Sequence, residues 1–84
     1  MLQVWELTNM HSSLGKFIRY KRENSLQKNS LNSFALNNDI EPAILSRIEN
    51  EKQDIKFNIL VKIAKGFNLK TSELIAEFEN SQFF

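Results

Sequence analysis

The chain has 84 residues, 42% hydrophobic and 25% charged, with a net charge of +1 and no cysteine. This is the length of one compact domain rather than two. The missing cysteines exclude disulfides, thiolate zinc sites and cysteine nucleophiles, and a charge so near zero leaves only weak overall support for a polyanionic partner.

Two glycines and one proline in the whole chain argue against a turn-rich sandwich or barrel. Apolar residues recur mostly at spacings of three and four, so the class expected is all-α. No apolar run approaches the ~18 residues of a membrane span. The opening MLQVWELTN has neither a basic start nor a small-residue cleavage site. A cytoplasmic protein with no membrane segment is therefore expected. A domain this small buries only about 60–65% of the surface of its unfolded chain, so self-association would help it. Residues 1–35 carry Lys16, Arg19, Lys21, Arg22 and Lys28 against Glu6 and Glu23, while negative charge gathers late, in Glu73, Glu77 and Glu79. Such a chain can offer one basic face while staying near neutral.

Residues 1–11 read as an N-terminal extension, a short strand or arm, with Met10 as an alternative start. Residues 12–79 form the domain and 80–84 a tail. Ser12 or Ser13 caps a first helix over about 13–24, with Leu14, Phe17 and Ile18 on its inner face. Ser30 caps a second, carrying Leu31, Phe34 and Ala35 to about residue 37. Asn37-Asn38-Asp39 ends it, because Asn and Asp tolerate the left-handed conformation. Pro42 suits the first turn of a third helix, 42–49, with Leu45 and Ile48 inward. The fourth is the most apolar: Phe57, Ile59, Leu60, Val61, Ile63, Ala64 and Phe67. So wide a stripe predicts burial on several sides, and hence the central helix. Asn68 ends it. Thr71 or Ser72 caps a fifth helix with Leu74, Ile75 and Phe78.

The order Phe34-Ala35-x4-Ile40-x4-Leu45-x2-Ile48 is the spacing of two short helices crossing steeply at a tight turn, a helix-turn-helix. With LGKFIRYKRE before it, LSRIENEK over its second helix and ILVKIAKGFNLKTSELI after it, the chain from about Leu14 to Ile75 resembles the DNA-binding domain of the phage-repressor (Cro and XRE-type) helix-turn-helix family. The resemblance implies a five-helix, lambda-repressor-like bundle whose third helix enters the DNA major groove. It implies base reading by Pro42, Ala43, Ser46 and Arg47, with Arg47 foremost because guanidinium can bond both acceptors of a guanine edge. It implies phosphate contacts at Ser30, Asn50, Lys52 and Lys56, and a structural ion pair between Arg22 and Glu49. The partner implied is double-stranded DNA, met as a homodimer on a palindromic operator, and the function a transcriptional regulator, by default a repressor.

The chain departs from the family pattern at Leu31, where glutamine is usual, at Asp39 and Glu51, where glycine is usual, and at Lys21, where a core leucine is usual. Leu31, Asp39 and Glu51 fit instead a protein-interaction module on the same fold, an antitoxin-like or scaffold partner. Trp5 and the terminal Phe83-Phe84 read equally as packing on their own subunit or as a dimer interface. No enzyme, metal, cofactor or small-molecule effector is expected: one histidine, His11, no glycine-rich phosphate loop and no paired metal ligands leave nothing from which to build such a site.

Overall fold

The computed structural model describes residues 13–25 and 30–84. The expected arm, with Trp5, Met10, His11 and the alternative cap Ser12, lies outside the described residues. Five helices follow in order: α1 (Leu14–Glu23), α2 (Leu31–Asn37), α3 (Pro42–Glu49), α4 (Phe57–Gly66) and α5 (Thr71–Glu79). The described residues contain no strand, and no helix among them is long and apolar enough to cross a membrane.

Local chemistry explains most of the helix ends. Ser13 Oγ accepts from the Lys16 amide at 3.1 Å, and Ser30 Oγ from the Ser33 amide at 3.1 Å; each satisfies a donor that the first turn leaves unpaired. Pro42 opens α3, where its fixed φ is already helical. At α5 the expected serine or threonine cap is corrected. Thr71 is the first helical residue, and Glu73 reaches back to accept from the Lys70 amide at 2.7 Å. A carboxylate in the first turn gains from the helix dipole as well as the hydrogen bond.

Helices α2, α3 and α4 end alike. Asp39, Glu51 and Asn68 have φ of 59°, 60° and 59°. The amide after each bonds a carbonyl five residues back: Ile40 to Ala35, Lys52 to Arg47, and Leu69 to Ala64, at 2.8, 2.8 and 2.9 Å. This is the Schellman ending, which favours glycine at the left-handed residue. The chain meets that geometry with Asp, Glu and Asn, and of the three the glutamate suits it least.

The fully buried large side chains come from every helix: Ile18, Phe34, Leu45, Ile48, Ile63 and Leu74. Burying each contributes about 1.5–3 kcal/mol. The expectation of a central α4 is corrected. Only Ile63 and Ala64 of that helix are buried, and Phe57 is 72% exposed. It packs chiefly on α5, whereas α3 receives both α1 and α2. An apolar stripe broader than the surface available to cover it leaves part of itself outside.

The tail divides. Phe83 packs its ring on Tyr20 and Phe17, at centroid distances of 5.4 and 6.3 Å, and its carbonyl accepts from the Ser13 amide at 2.7 Å. Phe84 stands edge-on to Phe78 and remains 54% exposed. Lys21 sets its Nζ over the Phe67 ring, 5.3 Å from the centroid, and donates from the same atom to Glu77 at 2.6 Å. The ammonium is thus held between an aromatic face and a carboxylate, a cation–π contact beside an ion pair.

Candidate nucleic-acid interface

Helix α3 presents two different faces. Leu45, Ile48 and Glu49 point inward and are buried. Ala43, Arg47 and Asn50 are exposed, and Pro42 and Ser46 half-buried. Positions 43, 46, 47 and 50 follow the three–four spacing that places side chains on one surface of a helix. The four base-reading candidates, Pro42, Ala43, Ser46 and Arg47, thus sit together on α3, away from the core.

The inward face is held by α1. A Cβ added at Gly15 would lie 2.1 Å from the Ile48 carbonyl oxygen and 3.1 Å from its carbon. Only a residue without a side chain lets the first turn of α1 approach the backbone of α3 so closely. Two turns further along the same helix, Arg22 grips the end of α3. Its Nε donates to Glu49 Oε2 at 2.9 Å and its Nη2 to Oε1 at 2.8 Å. The side chains are 8% and 2% exposed, so this is a bidentate pair inside the protein rather than a solvated one. The hydrogen bond that it donates to Glu49, ahead of the two charges' attraction, raises the pKa of the guanidinium against the opposing effect of burial. Within the described residues every buried side-chain nitrogen and oxygen has a partner.

A similar close approach occurs at the other end of the turn. A Cβ on Gly66 would meet the Phe34 ring and the Asn38 side-chain amide, each at 2.7 Å. That brings the C-terminus of α4 against α2, where Phe34 and Phe67 stack at 4.9 Å. Helix α3 is therefore fixed directly from α1 and through α2 from α4.

The phosphate candidates do not share one disposition. Lys52 and Lys56 are exposed, on the loop and cap that follow α3. Asn50 turns its side-chain amide back to donate to the Ser46 carbonyl at 2.8 Å. Ser30 spends an oxygen lone pair on capping α2, and a hydroxyl that accepts in this way can still donate its proton. The acidic departures in this region have basic neighbours. Lys62 Nζ donates to the Asp39 carbonyl at 2.9 Å and lies 3.5 Å from its carboxylate. Lys16 lies 3.4 Å from Glu51. Each lysine offsets part of a negative charge beside α3, although solvent screens pairs as exposed as these.

Three contributors escape a linear reading. Gly15, Lys62 and Gln53 carry no motif of their own. Gln53, in the loop after α3, accepts from Arg47 Nε at 2.8 Å. The glycine alone leaves a trace, because glycine within a helical pattern is costly and implies close packing. Among the described residues no cluster of three metal-ligating side chains occurs. No family model, curated protein or solved structure matches the chain.

Proposed function

We propose that the chain is a sequence-specific DNA-binding transcriptional regulator of the phage-repressor helix-turn-helix type, with a lambda-repressor-like bundle, acting as a homodimer on a palindromic operator. The observation that carries this reading is the asymmetry of α3. Its inner side is locked by Gly15 and by the Arg22–Glu49 pair, while its outer side keeps Ala43 and Arg47 exposed with Ser46 half-buried between them. A rigidly seated helix with an open polar face and one guanidinium is what insertion into a major groove requires.

In this reading Arg47 bonds N7 and O6 of a guanine, and Ala43 touches a thymine methyl. Ser46 and Pro42 line the same groove. Lys52, Lys56 and the Ser30 hydroxyl meet phosphates and set the register. Two copies place their third helices ~34–36 Å apart, in successive major grooves. Occlusion of a promoter is the simplest consequence for a domain of this size, which makes repression the expected effect.

A second reading, a protein-interaction module on the same scaffold, is favoured by Phe57 at 72% and Leu36 at 68% exposure. Large apolar side chains left open suit a protein partner, a second copy included. Selection of bound duplexes from a random pool separates the two. Recovery of a palindrome supports the regulator and its symmetry together. Failure to retain any duplex at low salt refutes it, because even non-specific binding by a sequence reader has a Kd of ~10⁻⁴–10⁻⁶ M.

A further inference from the structure

We propose that Gln53 is a positioning residue for Arg47, holding the guanidinium end-on so that both terminal nitrogens face a guanine edge. The inference rests on the DNA-reading function above and assigns a role to a loop residue that itself need not touch a base.

The geometry begins with the backbone. Glu51 adopts φ of 60°, and the Lys52 amide bonds the Arg47 carbonyl at 2.8 Å. The chain therefore reverses at the end of α3, and residue 53 returns beside residue 47. Gln53 is half-buried and borders the same hollow as Leu14, Gly15 and Ile48. Its Oε1 accepts from Arg47 Nε at 2.8 Å. The position of its oxygen is unambiguous, since arginine only donates.

That single bond has a specific effect on a planar fork. Guanidinium carries five N–H donors in fixed directions. With the Nε–H turned to Gln53, the two Nη groups form the outer end of the plane, and among the described residues they have no hydrogen-bond partner. Two parallel N–H groups at that end match the N7 and O6 acceptors of guanine. A neutral amide suits the task better than a carboxylate: it holds the arginine without cancelling its charge or adding a negative group near phosphate. The bond also removes rotamer freedom from a long side chain before DNA arrives, which lowers the cost of ordering it on binding.

The test uses the full chain, the duplex recovered by selection, and the same duplex with the Arg47-read guanine pair exchanged for an adenine pair. Gln53→Ala should lower the preference for guanine roughly two- to ten-fold, the value of one hydrogen bond, and leave affinity for unrelated duplexes unchanged. On an Arg47→Ala background the same change should have no further effect on discrimination. Gln53→Glu, which keeps the acceptor, should retain the preference and weaken binding to all duplexes. Equal losses on all duplexes from Gln53→Ala, or losses that multiply with those of Arg47→Ala, would show that Gln53 acts on DNA by itself and overturn the proposal. A DNA-free readout separates this failure from that of the function. In the free chain the Arg47 Nε–H should exchange slowly by NMR, and faster in Gln53→Ala. Equal exchange in the two sinks the positioning role even where specific binding is intact. Slow exchange in a chain that retains no duplex sinks the DNA-reading function and the proposal with it.

Discussion

Replacing Gly15 by alanine sets two effects of opposite sign against each other. Helix propensity alone favours alanine by roughly 0.5–1 kcal/mol. Packing opposes it. The new methyl would sit 2.1 Å from the Ile48 carbonyl oxygen, where ordinary contact begins at 3.4 Å. The obstacle is backbone, so it cannot rotate aside, and relief requires α1 and α3 to separate by more than an ångström. Overpacking of this kind costs about 1–3 kcal/mol when the structure can yield. Here yielding also strains the Arg22–Glu49 pair on the same two helices, whose disruption is worth more than the methyl contact. The expected net loss is about 2–4 kcal/mol, against a total of roughly 4–13 kcal/mol for a chain of this length. Urea denaturation followed by helical circular dichroism measures the loss directly. The thermal midpoint should fall by about 4–8 °C for each kcal/mol. A midpoint equal to or above that of the parent would refute the close approach of the two helices, and with it the claim that α1 seats α3.

The remaining expectations concern the pair, the outer face and the helix end. Glu49→Ala removes the bidentate partner of a buried guanidinium and should cost ~3–5 kcal/mol, with much less lost when Arg22 is replaced by methionine as well; additive losses in the double-mutant cycle would contradict the bidentate contact. Because the Arg22 pKa is raised in the folded state, its stabilisation is complete below the unfolded value and is lost only as pH rises through the folded one. Arg22 therefore adds no slope to stability at neutral pH; a slope there in the parent chain that disappears when Arg22 and Glu49 are replaced together by methionine and leucine would contradict this. Arg47→Ala should cost ~1–3 kcal/mol at the selected site and relax discrimination at one base pair, whereas Lys52→Ala should weaken all duplexes evenly and reduce the salt slope by ~1; exchange of these two phenotypes would invert the roles. Glu51→Gly removes a left-handed strain of ~1–2 kcal/mol, partly offset by the entropy glycine adds to the unfolded chain. It should stabilise the fold by about 0.5–1 kcal/mol and tighten DNA binding by deleting an acid beside α3; a lower denaturation midpoint would count against the strain.

Much of this molecule is decided by interactions within a few residues, and those are legible along the chain. Ser13 and Ser30 cap because a hydroxyl there meets an amide three residues on. Pro42 starts α3 because its φ is already helical. Leu45 and Ile48 share a face because the helix repeats every 3.6 residues, and the same period turns Ala43 and Arg47 outward, with Ser46 half-buried beside them. The rest depends on what stands opposite each surface, which no local period encodes. Phe57 belongs to the most apolar segment yet lies open, because α4 has fewer neighbours than apolar residues to cover. Gly15 matters only because the Ile48 carbonyl lies across from it. Phe83 is packed and Phe84 exposed, although the two residues are chemically identical. Arg47 and Gln53 become partners through a left-handed turn at Glu51, a residue whose chemistry does not announce one. Period and capping act over one turn of helix and set the elements; the close approaches that seat α3 arise only when distant turns meet.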